Sequence, residues 1–329
     1  MGNTVNFARI NESKQNFDDI YLKNDPRDYF RHLGQLDYII PHVAQPIFEK
    51  LIRARAETQD GPVTVLDLGA SYGVNGALLK YDLSYDALRA RYTAPALQAI
   101  PPAAMLELDR AFYRGWPAHG NVRVIGHDVS ENAIRYAADC GTIDYGIVAD
   151  LEANDPSPAD AEMLASVDLI VSTGCVGYVT DRTFRRVVNL ARAGRTPWIA
   201  SFVLRMFPYD RIANILAEQG LVTEKFEGAT FVQRRFASRE EMEATVAAVE
   251  SRGIDTRGHE AEGLYHAELF ISRPREEIMR CPIQRLVSVV SGSNKPWSVG
   301  TNVLGAYGPA ARQNARAGRM RRVSAAPAP

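Results

Sequence analysis

The sequence predicts an α/β fold: a doubly wound, mostly parallel sheet with helices on both faces. Short apolar, β-branched runs alternate with segments of helical periodicity from residue 63 to about 220. The first run passes directly into a glycine-rich turn and a helix, VTVLDLGASYGVNG over 63–76. Composition agrees, since 46% apolar and 23% charged residues in 329 can bury one large core with additions.

The elements follow in order. Residues 28–57 carry apolar positions at helical spacing interrupted by Pro41 and Pro46, which predicts two or three short helices. They form an N-terminal cap over 1–60. The core is expected over 61–275: VTVLDLG, NVRVIGHDVS, DYGIVADL, SVDLIVSTG and TPWIASFVL are five strands. Between and after them, VNGALLKYDL, ENAIRYAADC, TFRRVVNLARAG and YDRIANILAEQG read as helices, the last closing on Gly220. LVTEKFEGATFVQRRF and GLYHAELFISR look like two further strands, separated by a helical insertion at about 238–253 whose Ser238 and Glu241 have capping-box spacing. A second insertion, about 82–119, is helical by periodicity and leaves the sheet between its first and second strands. Residues 276–329 form a C-terminal extension, expected to be partly flexible.

Charge excludes one function class. With 38 basic and 39 acidic side chains, no overall field draws the protein to nucleic acid. Cys140, Cys175 and Cys281 lack metal-ligand spacing and suit free thiols, so neither a disulfide nor a metal is expected. No stretch reaches membrane-spanning length and no basic-then-apolar leader opens the chain, so a cytoplasmic location is expected.

The turn after the first strand narrows the ligand. A parallel strand ending in Gly69, followed by Gly73, Gly76 and a helix, brings a ligand close to backbone amides. Asp67 stands two residues before Gly69. A carboxylate there repels a pyrophosphate and attracts a cationic amino-acid head group. The stretch VLDLGASYG resembles the first motif of class I S-adenosylmethionine-dependent methyltransferases, an acid followed by three glycines at alternate positions. Gly69 and Gly73 match, and Ser71 replaces the middle glycine. The resemblance covers about residues 60–275. It implies a Rossmann-like sheet, mostly parallel and seven-stranded with a late antiparallel strand, and S-adenosylmethionine as cofactor.

It also implies further cofactor-binding residues. Asp128, ending the second strand, has the place of the acid that grips the ribose hydroxyls, where a carboxylate accepts two charge-assisted bonds. Asp150 has the place beside the adenine amino group, with Leu151 against the ring. Ser172, Thr173 and Gly174 end the fourth strand alongside the transferred methyl. Plainer readings stand beside these. Asp128 suits a helix N-cap, a role Ser130 can also fill. Asp150 suits a solvated turn. The wide gap between Gly69 and Asp128 reflects the insertion, either a decorative helix pair or part of a lid.

Catalytic residues are not fixed by the sequence. Tyr178, His42, His266 and His259 are candidates for a base, although methyl transfer works by holding donor and acceptor in line and does not require one. Tyr29 and Tyr38 in the cap, with Tyr178, are candidate substrate contacts or core filling. The expected reaction is O- or N-methylation of a small molecule, and a homodimer is left open. Alternatives are a protein or RNA methyltransferase, favoured only by the Arg-rich 312–322 stretch, a nicotinamide-dependent oxidoreductase, and a non-catalytic cofactor-binding protein.

Overall fold

In the computed structural model, residues 18–191 and 195–289 are described. The first 17 residues of the cap and the stretch from 290, with its Arg-rich segment, lie outside the described residues. Strands β1 (Val63–Leu68), β2 (Val122–Asp128), β3 (Tyr145–Val148), β4 (Leu169–Thr173) and β5 (Trp198–Leu204) run parallel in the order β3-β2-β1-β4-β5. The order reverses between β1 and β4. In open α/β sheets the crevice at such a switch point, outside the carboxyl ends of the strands, is where ligands bind.

Beyond β5 the sheet departs from a dinucleotide-binding one. β8 (Leu264–Pro274) lies antiparallel to β5 and, on its other edge, pairs with β6 (Leu221–Lys225) and β7 (Phe231–Arg235). The late antiparallel strand is therefore present, but among the described residues the sheet has eight strands where seven were expected. The stretch 221–236, read above as one strand, breaks at 226–230, and its halves pair with successive halves of the eleven-residue β8. Eleven residues are long enough to take two short partners end to end.

Alternation along β5 assigns the helical layers. Phe202 meets Phe48 of the helix Ile40–Ala56 at a ring separation of 5.6 Å, while its neighbour Ser201 meets Tyr209, which leads into the helix Asp210–Glu218. Helices thus cover both faces. Pro41 and Pro46 do not divide Ile40–Ala56, contrary to the expectation of shorter helices. Pro41 sits in the first turn, where its missing N–H is harmless, and Pro46 is on the exposed side, where water can satisfy the carbonyl it leaves unpaired.

A second core lies apart from the sheet. The cap helix Arg27–Gln35 packs on Tyr85–Thr93 of the insertion, whose other helices are Pro95–Gln98 and Pro102–Arg114. Tyr29, Phe30, Tyr85, Tyr92, Tyr113 and Trp116 are buried there with Tyr72 and Tyr136, and Phe30 stacks on Tyr92 at 4.8 Å. At its centre Asp109, 0% exposed, accepts from Arg91 Nε (2.7 Å), Tyr92 Oη (2.8 Å) and Tyr136 Oη, while Tyr113 Oη donates to Tyr92 (2.9 Å). The insertion therefore buttresses the cap from behind. No helix among the described residues is long and apolar enough to cross a membrane.

Candidate active site

Asp67 stands near the carboxyl end of β1, at the switch point. β1 is buried at every position, so its carboxylate is 0% exposed, next to Val171 of β4 and Gly126 of β2. Oδ1 accepts from Asn75 Nδ2 (3.0 Å), and the same amide donates to Thr173 Oγ1 (3.1 Å). Oδ2 has no partner. Burial pushes the carboxyl up to about 7, against the Asn75 hydrogen bond, and the nearby Asp128 raises it further. Among the described residues no Lys or Arg pairs with it. A buried carboxylate without a cation is costly, and the arrangement is complementary to a positively charged ligand group.

The turn above it is left-handed at three alternate positions, Gly69 (φ +75°), Ser71 (φ +50°) and Gly73 (φ +71°). Side chains are excluded at the outer two: a Cβ on Gly69 would lie 2.7 Å from Cys175 Cβ, and one on Gly73 would overlap Thr142. Ser71 holds a conformation that a residue with a Cβ adopts at a cost of about 1–2 kcal/mol. Its hydroxyl is buried without a partner among the described residues. Its backbone N–H donates to Asp128 Oδ2 (2.9 Å), while Asp128 Oδ1 accepts from the Ser130 N–H (3.0 Å). Asp128 thus staples the glycine-rich turn to the turn after β2. Ser130 occupies the N-cap position of Glu131–Cys140, yet its hydroxyl donates to the Tyr21 carbonyl (2.6 Å) and caps nothing.

That last bond belongs to a strap. Residues 20–23 of the cap are tied across the two turns by Ser130, by Asn132 Nδ2 donating to the Leu22 carbonyl (2.8 Å), and by Tyr72 Oη, shared between the carbonyls of Ile20 (2.7 Å) and Lys23 (2.8 Å). The Tyr21 hydroxyl, raised by burial, lies close enough to Tyr38, Asp128, Tyr178 and Arg234 to feel their charge. Tyr38 likewise feels Asp67 and Arg234, and its ring packs edge-on against Tyr29 at 6.1 Å. The phenols of residues 21, 29 and 38 therefore gather beside the crevice. Tyr29 itself is buried in the second core, whereas Tyr178 is exposed.

Other sequence candidates are dispersed. Asp150 is exposed and accepts from the N–H groups of Glu152 (3.0 Å) and Ala153 (3.2 Å), holding its own turn, and Leu151 is buried in the main core. Ser172 is fully buried, with the half-buried Cys175 thiol beside its hydroxyl but no well-formed bond between them. Burial raises that thiol to about 12, which keeps it protonated. His266 is buried on β8, its Nδ1 2.9 Å from Thr230 Oγ1, and its ring packs against His259 at 4.8 Å. His42 is half-buried in the first turn of Ile40–Ala56. Neither His42 nor His266 shares a described contact with Asp67, Asn75 or Thr173.

Sequence reasoning passed over Asn75, Tyr21, Gln233 and Val129. Asn75 was legible as an amide inside a run of small and apolar residues opening a helix. Val129, next to Asp128, is 67% exposed and offers an apolar face at the rim. The other two are brought to the crevice by tertiary contacts.

No family model and no curated protein matches the chain. Solved structures resemble it at low identity. A TehB-like SAM-dependent methyltransferase from Corynebacterium glutamicum is 14% identical over 68% of this chain and 85% of its own, with a TM-score of 0.33. A plantazolicin methyltransferase, in complex with a triazolic desmethyl-plantazolicin analogue and SAH, is 11% identical over 82% and 99%, with a TM-score of 0.38. A 4+2 cyclase is 14% identical over 69% and 81%, with a TM-score of 0.33. What this chain's own residues carry is the strand order, the antiparallel β8 and the chemistry of the Asp67 turn.

Proposed function

We propose that the protein is an S-adenosylmethionine-dependent methyltransferase acting on the oxygen or nitrogen of a small-molecule acceptor. The observation that carries the reading is Asp67: a fully buried carboxylate with one oxygen unpartnered, at the switch point, beneath a turn that is left-handed at three alternate positions. Its chemistry fits the ammonium of an amino-acid head group. The same carboxylate, with the antiparallel β8, weighs against a nicotinamide dinucleotide, whose pyrophosphate it would repel.

Roles follow from placement. Asp67 holds the ammonium, and Asn75 fixes the carboxylate by bonding to Oδ1 and to Thr173. Asp128 spends one lone pair of each oxygen on backbone amides, and the remaining lone pairs accept from ribose hydroxyls. Val129 supplies an apolar face for a flat ring. The strap at 20–23 and the tyrosines beside it exclude water from the crevice. When bound, the cofactor would supply a sulfonium methyl carbon open to in-line attack by an acceptor lone pair, the C–S bond breaking to release S-adenosylhomocysteine as a neutral thioether. Holding the two reactants in line is worth up to about 7–11 kcal/mol, so no base is assigned to His42, His266 or Tyr178.

Isothermal calorimetry with S-adenosylmethionine, S-adenosylhomocysteine and NAD tests the reading on the full chain. The two sulfur ligands are expected to bind and NAD is not. NAD binding in preference to both would replace the assignment by an oxidoreductase. Binding of both sulfur ligands with no methyl transfer to any acceptor in a small-molecule extract would leave a cofactor-binding protein.

A further inference from the structure

β7 is irregular at one residue. Phe231 and Val232 pair with Ala267 and His266, and Arg234 and Arg235 pair with Tyr265 and Leu264, so Gln233 is an extra residue between two regular pairs. A bulge of this kind bends its strand and re-aims a side chain. The bulge is supported from the other side, where the Gln233 carbonyl accepts from the Ile39 N–H (2.9 Å) and the Arg235 N–H donates to the Leu36 carbonyl (2.7 Å). The cap linker at 36–39 thus fixes the irregularity in place.

The re-aimed side chain ends at Gly174. The Gln233 amide lies against the α-carbon of Gly174 so closely that a Cβ there would overlap Nε2. Gly174 directly follows Thr173, the residue joined to Asp67 through Asn75, and its φ of +84° turns the chain away from β4. Gln233 is 7% exposed, its carboxamide makes no hydrogen bond to any described residue, and its polar atoms are not sealed from solvent. A nearly buried carboxamide without a protein partner is satisfied by water or by a ligand group that displaces it. Tyr38, adjacent in sequence to the Ile39 that holds the bulge, stands close to both Asp67 and Arg234.

We infer that Gln233 is an acceptor-positioning residue: its carboxamide hydrogen-bonds a neutral polar group of the acceptor next to the atom that takes the methyl. This deepens the methyltransferase reading and rests on it. A carboxamide both donates and accepts but carries no charge, and the tyrosines nearby suit a flat body. The acceptor class is therefore an uncharged ring bearing a hydroxyl or carbonyl beside its nucleophilic atom. A site built to satisfy such a group discriminates strongly against analogues lacking it.

The test uses the full chain saturated with S-adenosylhomocysteine, with catechol and phenol as probes of a ring with and without a second hydroxyl. Calorimetry on Gln233→Leu comes first, with S-adenosylhomocysteine affinity expected within twofold of the unchanged protein. A tenfold loss, with an unchanged thermal midpoint, would put the carboxamide on the cofactor and overturn the inference. Failure of the unchanged protein itself to bind S-adenosylhomocysteine would instead remove the methyltransferase reading beneath it. In NMR titrations, catechol is expected to bind the unchanged complex at least fivefold more tightly than phenol, and equally with phenol in Gln233→Leu. Gln233→Asn, which shortens the side chain but keeps the amide, should retain part of the preference. No preference in the unchanged complex, or the same preference in Gln233→Leu, overturns the inference.

Discussion

Two aspartates in this molecule are equally buried and unequally satisfied. Asp109, in the second core, has Arg91 and the hydroxyls of Tyr92 and Tyr136 around it, while Asp67, in the main core, has one amide and an orphaned oxygen. Burial raises the pKa of both, but only Asp109 has a cation pulling it back. A satisfied buried charge fixes structure, and an unsatisfied one is tolerated where a ligand completes it. The first ties the insertion to the helix Glu131–Cys140, and the second waits at the switch point.

Removing each carboxylate should therefore move stability in opposite directions. Asp109→Ala leaves Arg91 and two tyrosine hydroxyls without their acceptor, and a loss of about 3–5 kcal/mol is expected in urea unfolding. Asp67→Asn removes an uncompensated charge while keeping an oxygen for Asn75. The sign follows from linkage: with a native pKa of about 7 and an ordinary value of 3.8, the folded form binds more protons between those limits, so stability falls as pH rises. At pH 8 the fall amounts to roughly 4 kcal/mol at most. Asp67→Asn should be more stable than the unchanged protein at pH 8, indistinguishable near pH 4, and at least about a hundredfold weaker for S-adenosylhomocysteine. A loss of stability in both variants would end the contrast.

Ligand affinity supplies a sharper version without mutation. A cationic head group needs Asp67 ionised, so affinity for S-adenosylhomocysteine should weaken about tenfold per pH unit below 7 and level off above it. Calorimetry between pH 5.5 and 8.5, in buffers of different ionisation heat, would also detect the proton released on binding. A flat profile would mean that the ligand does not meet this carboxylate.

The same contrast explains what was legible. Strand and helix order could be read because each depends on local periodicity, and Asp67 stood out as an acid in an apolar run. The division of residues 221–236 into two strands could not be read, because it depends on how far β8 extends beside them. Nor could Asp128's bonding, since Ser71 lies 57 residues away and is brought near by the sheet. The sequence offered ribose binding or helix capping as alternatives for Asp128, and the fold adds a third role, the staple between turns. Asp128→Ala should consequently lose both about 2 kcal/mol of stability and about thirtyfold or more in S-adenosylhomocysteine affinity. Affinity loss alone would show the staple to be idle, and stability loss alone would remove the residue from the ligand.

The smallest expected effect tests whether an orphaned polar group always points to the ligand. Ser71 combines two oddities, a left-handed backbone and a buried hydroxyl with no partner. Ser71→Gly relieves a strain of about 1–2 kcal/mol and gives back about 0.4–1 kcal/mol through the freer unfolded chain. A net gain of about 1 kcal/mol is expected, close to the limit of a careful urea titration. Ser71→Ala keeps the strain and removes only the hydroxyl, so it should gain less. If the hydroxyl bonds the ligand as Asp67 does, both variants should bind S-adenosylhomocysteine about fivefold more weakly, one neutral hydrogen bond's worth. Were Ser71→Gly more stable and as tight as the unchanged protein, the hydroxyl would be a tolerated substitution in the turn. The rule separating Asp67 from Asp109 would then hold for buried charges and not for buried hydroxyls.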